Sequence, residues 1–164
     1  MDNNEKPMYN GTVFFVDNVE KSKKFYTDIL GQKIEMDFGR CVGFIGGFTI
    51  WDSSYAYDMI GLEKSDERPL GKRNVEIYFE IKDINTLFDR IQKENIDFVH
   101  EIKEQPWGQR CFRIYDPDKH IIEFGEPMPI VIQRFSNQGL SVEEIVKKTL
   151  MPLDIVKKVL ESNI

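Results

Sequence analysis

The sequence predicts an α+β fold in which two paired βαβββ modules form a concave sheet and a C-terminal helical hairpin follows. Three observations predict it. Two helix N-cap residues, Asn18 and Asp83, lie 65 residues apart, and the helix stops at Gly31 and Asn95 lie 64 apart, which marks an internal repeat. Each of these helices is followed by three strand-like runs separated by turn residues. Beyond residue 137 the periodicity becomes purely helical.

Taken in order, GTVFFVDN (11–18) reads as a strand that ends at the cap Asn18. VEKSKKFYTDILG then places Phe25, Tyr26, Ile29 and Leu30 on one stripe and stops at Gly31, a natural left-handed terminator. KIEMDF, RCVGFI and FTIWDS read as three strands, and Gly46-Gly47 as a tight turn between the last two. The charged stretch 62–73 reads as a solvated linker. In the second module EIYFEIKD ends at the cap Asp83, and INTLFDRIQKEN puts Ile84, Leu87, Phe88 and Ile91 on one helix face. DFVHEIKE, QRCFRIY and HIIEFGE supply its three strands, with turn signals PWG and DPDK between them. The modules span 9–53 and 74–127 of a domain covering 1–128, and 129–164 form the tail. In that tail Ser141 and Glu144 form a capping box, and Pro152 starts a second short helix.

Charge and composition narrow the function. The chain has 164 residues, 28 acidic against 22 basic, for a net charge of −6. Residues 1–128 carry 17 basic and 24 acidic side chains, and 129–164 carry five and four. The acidity therefore belongs to the modules. It disfavours nucleic acid as a partner and suits a cationic ligand. The tail hairpin is similar to the helix-turn-helix of DNA-binding domains, but its charge is nearly balanced, so packing on the core or on a partner subunit is the expected role. No apolar run approaches the ~20 residues that span a bilayer. The opening MDNNEKPMYN carries no apolar signal segment. Cys41 and Cys111 are expected as reduced packing thiols, each preceded by an arginine, in a cytoplasmic protein.

Alternation in the first strand of the second module turns Val75, Ile77, Phe79 and Ile81 to one face and Glu76, Tyr78 and Glu80 to the other. The apolar set belongs under the helix. The second set is left to line a concave chamber, where a small molecule would bind. There is no G-x-S-x-G, no Gly-rich phosphate loop, no C-x-x-C and no H-E-x-x-H.

Phe15-Val16-Asp17-Asn18-Val19-Glu20-Lys21-Ser22 through Phe25-Tyr26 and Leu30-Gly31, with Tyr115-Asp116-Pro117-Asp118-Lys119-His120-Ile121-Ile122-Glu123, resembles the vicinal oxygen chelate superfamily. That superfamily comprises glyoxalase I, extradiol dioxygenases, fosfomycin resistance enzymes and bleomycin resistance proteins. The resemblance covers residues 9–127, with Lys119 where glycine is usual. It implies a divalent metal held from four strand positions. Here those positions fall on Gly11, near Ile50, on Glu76 and on Glu123. Two carboxylates without an imidazole suit Mg or Mn better than Zn, Ni or Fe. Glu76 and Glu123 therefore either face the chamber, binding a cationic or hydroxylated ligand or a weak metal, or are solvated or paired with arginines such as Arg113. His100 and His120 are expected in surface or hydrogen-bonding roles rather than as ligands.

Glu104-Gln105-Pro106-Trp107-Gly108 is similar to a segment of bleomycin resistance proteins, which are metal-free acidic dimers that sequester a cationic drug. The resemblance implies a homodimer in which Trp107 packs on the ligand. The alternative reading is that Trp107 plugs the end of the sheet. The expected ligand-binding residues are Glu76, Tyr78, Trp107, Gln109 and Glu123. The expected partner is a small molecule, with no membrane or nucleic acid and with no cofactor or else a divalent metal. The alternative function is a divalent-metal-dependent lyase or dioxygenase-like enzyme of the glyoxalase type, with Glu76 and Glu123 as ligands. A third reading is a regulatory protein whose hairpin contacts a partner.

Overall fold

The computed structural model describes residues 10–61, 70–71 and 75–162. Of the expected linker at 62–73, only Leu70 and Gly71 fall among them. The chain divides into two compact units: Met1–Lys72 with Asp116–Lys119, and Arg73–Tyr115 with His120–Ile164.

The first unit follows the β-α-β-β-β plan. Strand β1 (Thr12–Val16) leads to α1 (Val19–Lys24), whose Asn18 cap accepts the Lys21 N–H. The helix continues as a π-helical turn, Phe25–Ile29, in which the Leu30 N–H reaches the Phe25 carbonyl at 3.1 Å. That wider turn lets consecutive Phe25 and Tyr26 both enter the core, at 5% and 0% exposure. Gly31 then ends the helix with φ +67°. Strands β2 (Ile34–Asp37), β3 (Cys41–Phe44) and β4 (Phe48–Asp52) complete a sheet in the order β1-β4-β3-β2. Gly46 and Gly47, both at positive φ, make the turn before β4. Phe14, Val16, Val42, Phe44 and Ile50 are buried beneath the helix. An unforeseen helix, α2 (Ser53–Ile60), follows β4 and is capped by Asp52, whose carboxylate accepts the Tyr55 N–H at 2.8 Å.

The Asp116–Lys119 turn belongs to this unit through side chains. Asp118 accepts the Asp17 N–H at 2.9 Å and the Ser22 hydroxyl at 3.0 Å, and Asp116 accepts the buried Tyr26 hydroxyl at 2.9 Å. Burial, with the nearby Asp116 charge, pushes the Tyr26 phenol well above its ordinary value. Lys119 adopts the left-handed conformation, φ +70°, where the superfamily motif has glycine.

The second unit repeats the plan with β5 (Glu76–Glu80), α3 (Ile84–Ile91), β6 (Phe98–Glu104), β7 (Arg110–Tyr115) and β8 (Ile121–Gly125), in sheet order β5-β8-β7-β6. Asp83 caps α3 by accepting the Thr86 N–H at 3.0 Å. The helix closes at Gln92 rather than Asn95, and Asn95 is not among the left-handed residues. Ile84, Leu87 and Ile91 cover Ile77, Phe112, Ile114, Ile122 and Phe124. Val75 lies just outside the strand and is 38% exposed.

After β8 come three helices rather than a two-helix hairpin: α4 (Met128–Asn137), α5 (Val142–Thr149) and α6 (Leu153–Glu161). The Ser141–Glu144 capping box forms as expected. Val131, Ile132, Phe135, Ile145, Val156 and Val159 make a core of their own, so the expected hairpin packs on α4. Phe135 also packs on the β6–β7 turn. Its ring lies where a Cβ on Gly108 would be, 2.2 Å away, so only glycine fits that position. Among the described residues no helix is long and apolar enough to cross a membrane.

Candidate functional site

A sheet with its helix on one side leaves the other face to different residues. In the second unit, registers Tyr78↔Glu123 and Arg113↔Glu123 bring Glu76, Tyr78, Cys111, Arg113 and Glu123 onto that uncovered face. Glu123 stands directly opposite Arg113, and Glu76 is a diagonal neighbour on the far strand, within reach of a long side chain. The Arg113 Nε–H donates to Glu76 Oε2 at 2.6 Å, and its Nη2 pairs with the Glu123 carboxylate. The sequence left open whether the two carboxylates face this side or pair with Arg113. They do both.

His100 joins the group from β6. Its Nε2 lies 3.0 Å from Arg113 Nη1, and its Nδ1 lies 2.7 Å from the Glu101 carbonyl oxygen. An arginine N–H can only donate, so Nε2 accepts and Nδ1 carries the hydrogen. The imidazole is neutral in this arrangement. Burial chiefly, with the Lys103 and Arg113 charges, pushes its pKa below the ordinary histidine value. Cys111 is a free, buried thiol whose Sγ accepts Gln105 Nε2 at 3.0 Å and Arg113 Nη1 at 3.5 Å.

Tyr78, Gln109 and Trp107 form a second, linked group. Gln109 is only 7% exposed, and its amide donates to the Tyr78 hydroxyl at 2.9 Å and to the Glu126 carbonyl at 2.8 Å. Its Oε1 accepts the Trp107 indole N–H at 3.0 Å. The Tyr78 hydroxyl donates in turn to Glu80 at 3.3 Å, and burial with the Glu80 charge raises its pKa. Gly125 makes this possible, because a Cβ there would stand 2.9 Å from both Gln109 Nε2 and the Tyr78 ring. Trp107 and Tyr78 remain 38% and 46% exposed, so both rings present a surface to solvent.

Behind this group lies an ion network that sequence reasoning missed. Glu126 is fully buried and accepts Arg110 Nε at 2.8 Å, the Arg110 N–H at 3.0 Å and Arg134 Nη2 at 3.0 Å. Arg134 also donates to the Gly108 carbonyl and to Glu104, tying α4 to the turn that carries Trp107. Burial alone would raise the Glu126 pKa, but the Arg110 hydrogen bonds and the Arg134 charge outweigh it and leave it low.

The uncovered face of the first sheet is chemically different. Ile50 is fully buried on the helix side, one residue out of register with the expected ligand position. Its uncovered-side neighbours are Thr49 and Trp51. Thr49 pairs with Val13 as Glu123 pairs with Tyr78, so Thr49 is the equivalent of Glu123. Phe15, Trp51, Tyr55 and Tyr57 make edge-on contacts at 5.4–6.4 Å, and Arg40 lies 4.9 Å over the Tyr55 ring. Gly11 has no side chain to offer, and a Cβ there would meet the Gly47 carbonyl oxygen at 2.7 Å. Neither expected ligand position on this sheet therefore carries a metal donor.

With the Arg113 guanidinium in place, the residues present do not fit a transition metal. Two carboxylates are the only acidic donors at the expected positions, and a guanidinium already lies between them. Among the described residues no group of three or more His, Cys, Asp or Glu is placed to hold a metal ion.

The model of the glyoxalase-like domain matches residues 9–129. A crystal structure of a protein of unknown function from Agrobacterium tumefaciens is 38% identical, covers 75% of this chain and 96% of its own, and superposes with a TM-score of 0.69. A glyoxalase/bleomycin resistance protein/dioxygenase from Nocardioides shares the fold at 23% identity, covering 74% and 84% of the two chains, with a TM-score of 0.62. Lactoylglutathione lyase from Agrobacterium tumefaciens does so at 19% identity, covering 74% and 96%, with a TM-score of 0.56. An uncharacterized protein of Mycobacterium tuberculosis is 27% identical over 84 residues, 51% of this chain and 49% of its own, so the chain spans about half the length of the curated relatives it matches. The chain belongs to the glyoxalase-like domain family, within the vicinal oxygen chelate superfamily.

Proposed function

We propose that this protein binds a small cationic or polyhydroxylated molecule on the uncovered face of its second sheet, without a complete transition-metal site. The observation that carries the reading is the hydrogen-bonded chain Trp107–Gln109–Tyr78 beside the Glu76–Arg113–Glu123 group. Two carboxylates share one guanidinium, so that group keeps a net negative charge and favours a cation. Trp107 and Tyr78 supply exposed ring faces, on which a flat or cationic group can stack. Gln109, locked by three hydrogen bonds, sets the position of both rings. Binding would then combine aromatic packing with carboxylate charge, in a cytoplasmic homodimer. The metal-dependent lyase or dioxygenase reading lacks a matching donor set.

A thermal-shift screen with polyamines, aminoglycosides and neutral sugars tests this reading. A ligand present at about a hundred times its Kd contributes about 2.7 kcal/mol of stability, a shift of several degrees. The expected result is stabilisation by at least one cationic or polyhydroxylated compound, lost in Glu123→Gln. Stabilisation that persists unchanged in that variant removes Glu123 from the site. No stabilisation by any compound of either class overturns the reading.

A further inference from the structure

We infer that Arg113 is the resident cation of this face: its guanidinium holds the place between Glu76, Glu123 and His100 that a divalent ion would otherwise take, and its removal converts these residues into a site for one. The inference deepens the metal-free part of the proposed function and does not depend on which organic ligand binds.

Three potential metal donors converge on one side chain. Glu76 Oε2 lies 2.6 Å from Arg113 Nε, the Glu123 carboxylate pairs with Nη2, and the lone pair of His100 Nε2 faces Nη1 at 3.0 Å. The three donors belong to β5, β8 and β6, and Arg113 to β7, all strands of one sheet, so their backbone positions are fixed by its ladders. Oxygen, oxygen and imidazole nitrogen are a competent set for Mn²⁺ once a cation of the right size is offered. The guanidinium and a divalent ion exclude each other, first by volume and then by like charge. A guanidinium is broad, so the three donors now stand around three separate nitrogens, and as placed they form no group that could hold a metal ion. Glu123 explains why the place must be filled: at 6% exposure, with Glu76 close by, it is a poorly hydrated carboxylate that needs a positive partner.

The experiment measures Mn²⁺ binding by titration calorimetry and by electron paramagnetic resonance on chelator-treated, full-length protein. Wild type, Arg113→Ala, Arg113→Met, Arg113→Lys and the double variant Arg113→Ala/Glu123→Gln are compared, with circular dichroism as the folding control. Expected are no stoichiometric Mn²⁺ in wild type or Arg113→Lys, and about one ion per chain in Arg113→Ala or Arg113→Met, bound at least on the order of tenfold more tightly than by wild type. The double variant should lose that gain. If a folded Arg113→Ala or Arg113→Met binds Mn²⁺ no better than wild type, the inference fails while the metal-free reading stands. If wild type itself binds one Mn²⁺ per chain and Glu76→Gln abolishes it, both fail, whatever the arginine variants do.

Discussion

Gln109 Nε2 donates to the Tyr78 hydroxyl across 2.9 Å, joining the β6–β7 turn to β5 over a glycine that leaves room for both. With Gln109 Oε1 taking the Trp107 indole hydrogen, one buried amide orients both aromatic rings of the candidate site. Gln109→Leu should therefore leave the fold intact, cost about 1–2 kcal/mol from unpaired polar groups and change the tryptophan emission. Tyr78→Phe, which removes one of these bonds, should cost about 1 kcal/mol and leave the Trp107 contact in place. Urea unfolding and fluorescence of the two variants check both statements.

The Glu126 carboxylate holds two arginines, one from β7 and one from α4, in a fully buried position. Glu126→Gln keeps the shape but leaves Arg110 and Arg134 short of their counter-charge. A loss of about 3 kcal/mol is expected, with the C-terminal helices loosening first. Hydrogen exchange resolved along the chain would show protection falling earliest in α4 to α6. Uniform loss across both sheets would contradict the anchoring role.

Acid should destabilise this protein in two stages. The folded state depresses the His100 pKa below 6.5 and the Glu126 pKa below 4.5. As pH falls the unfolded chain takes up each proton before the folded chain does. Stability from these groups is therefore present above those ordinary values and is lost as pH falls from them through the lower folded-state values. Asp118, whose pKa burial raises, works in the opposite sense and gains a little stability on acidification. Urea midpoints at pH 8, 6 and 4 should decline, and His100→Gln should flatten the first interval while sparing the second.

Leu150 closes α5 in the left-handed conformation at φ +60° and is 80% exposed. A leucine there carries steric strain that buries nothing in return, whereas glycine adopts the conformation freely. Leu150→Gly should raise stability by about 0.5–1 kcal/mol after the entropy that glycine adds to the unfolded chain. A lower melting temperature would show that Leu150 makes a stabilising contact of its own.

Local chemistry is legible from sequence wherever the deciding atoms lie within a turn or two of each other. Asn18, Asp83 and the Ser141–Glu144 box cap their helices as their side chains dictate. Period-two alternation put Glu76 and Tyr78 opposite Ile77, and each strand of both modules forms where its residues place it. Sequence reasoning slipped by one residue at Ile50, the ligand position carried over from the resemblance, because Phe48, Ile50 and Trp51 are all large and apolar and only pairing to β3 and β1 selects which side faces the helix. It missed α4, whose Ile130, Val131 and Ile132 are weak helix formers held helical by Phe135 and the packing of α5 and α6. It missed α2 although Asp52-Ser53-Ser54 is a sound start signal.

The candidate site divides along the same line. Sequence by itself determined the residue types on the uncovered face and the excess of carboxylates there, because alternation and composition are properties of a single strand. Only the tertiary structure decided that Arg113 stands among Glu76, Glu123 and His100, that Gln109 grips both Tyr78 and Trp107, and that Glu126 ties down Arg134. Apart from the Trp107–Gln109 bond, which spans two positions, these groupings join residues brought together by strand register or helix packing across 8 to 37 positions of chain or more. Charge neutralisation depends on separations of about 3 Å between groups that no local rule relates.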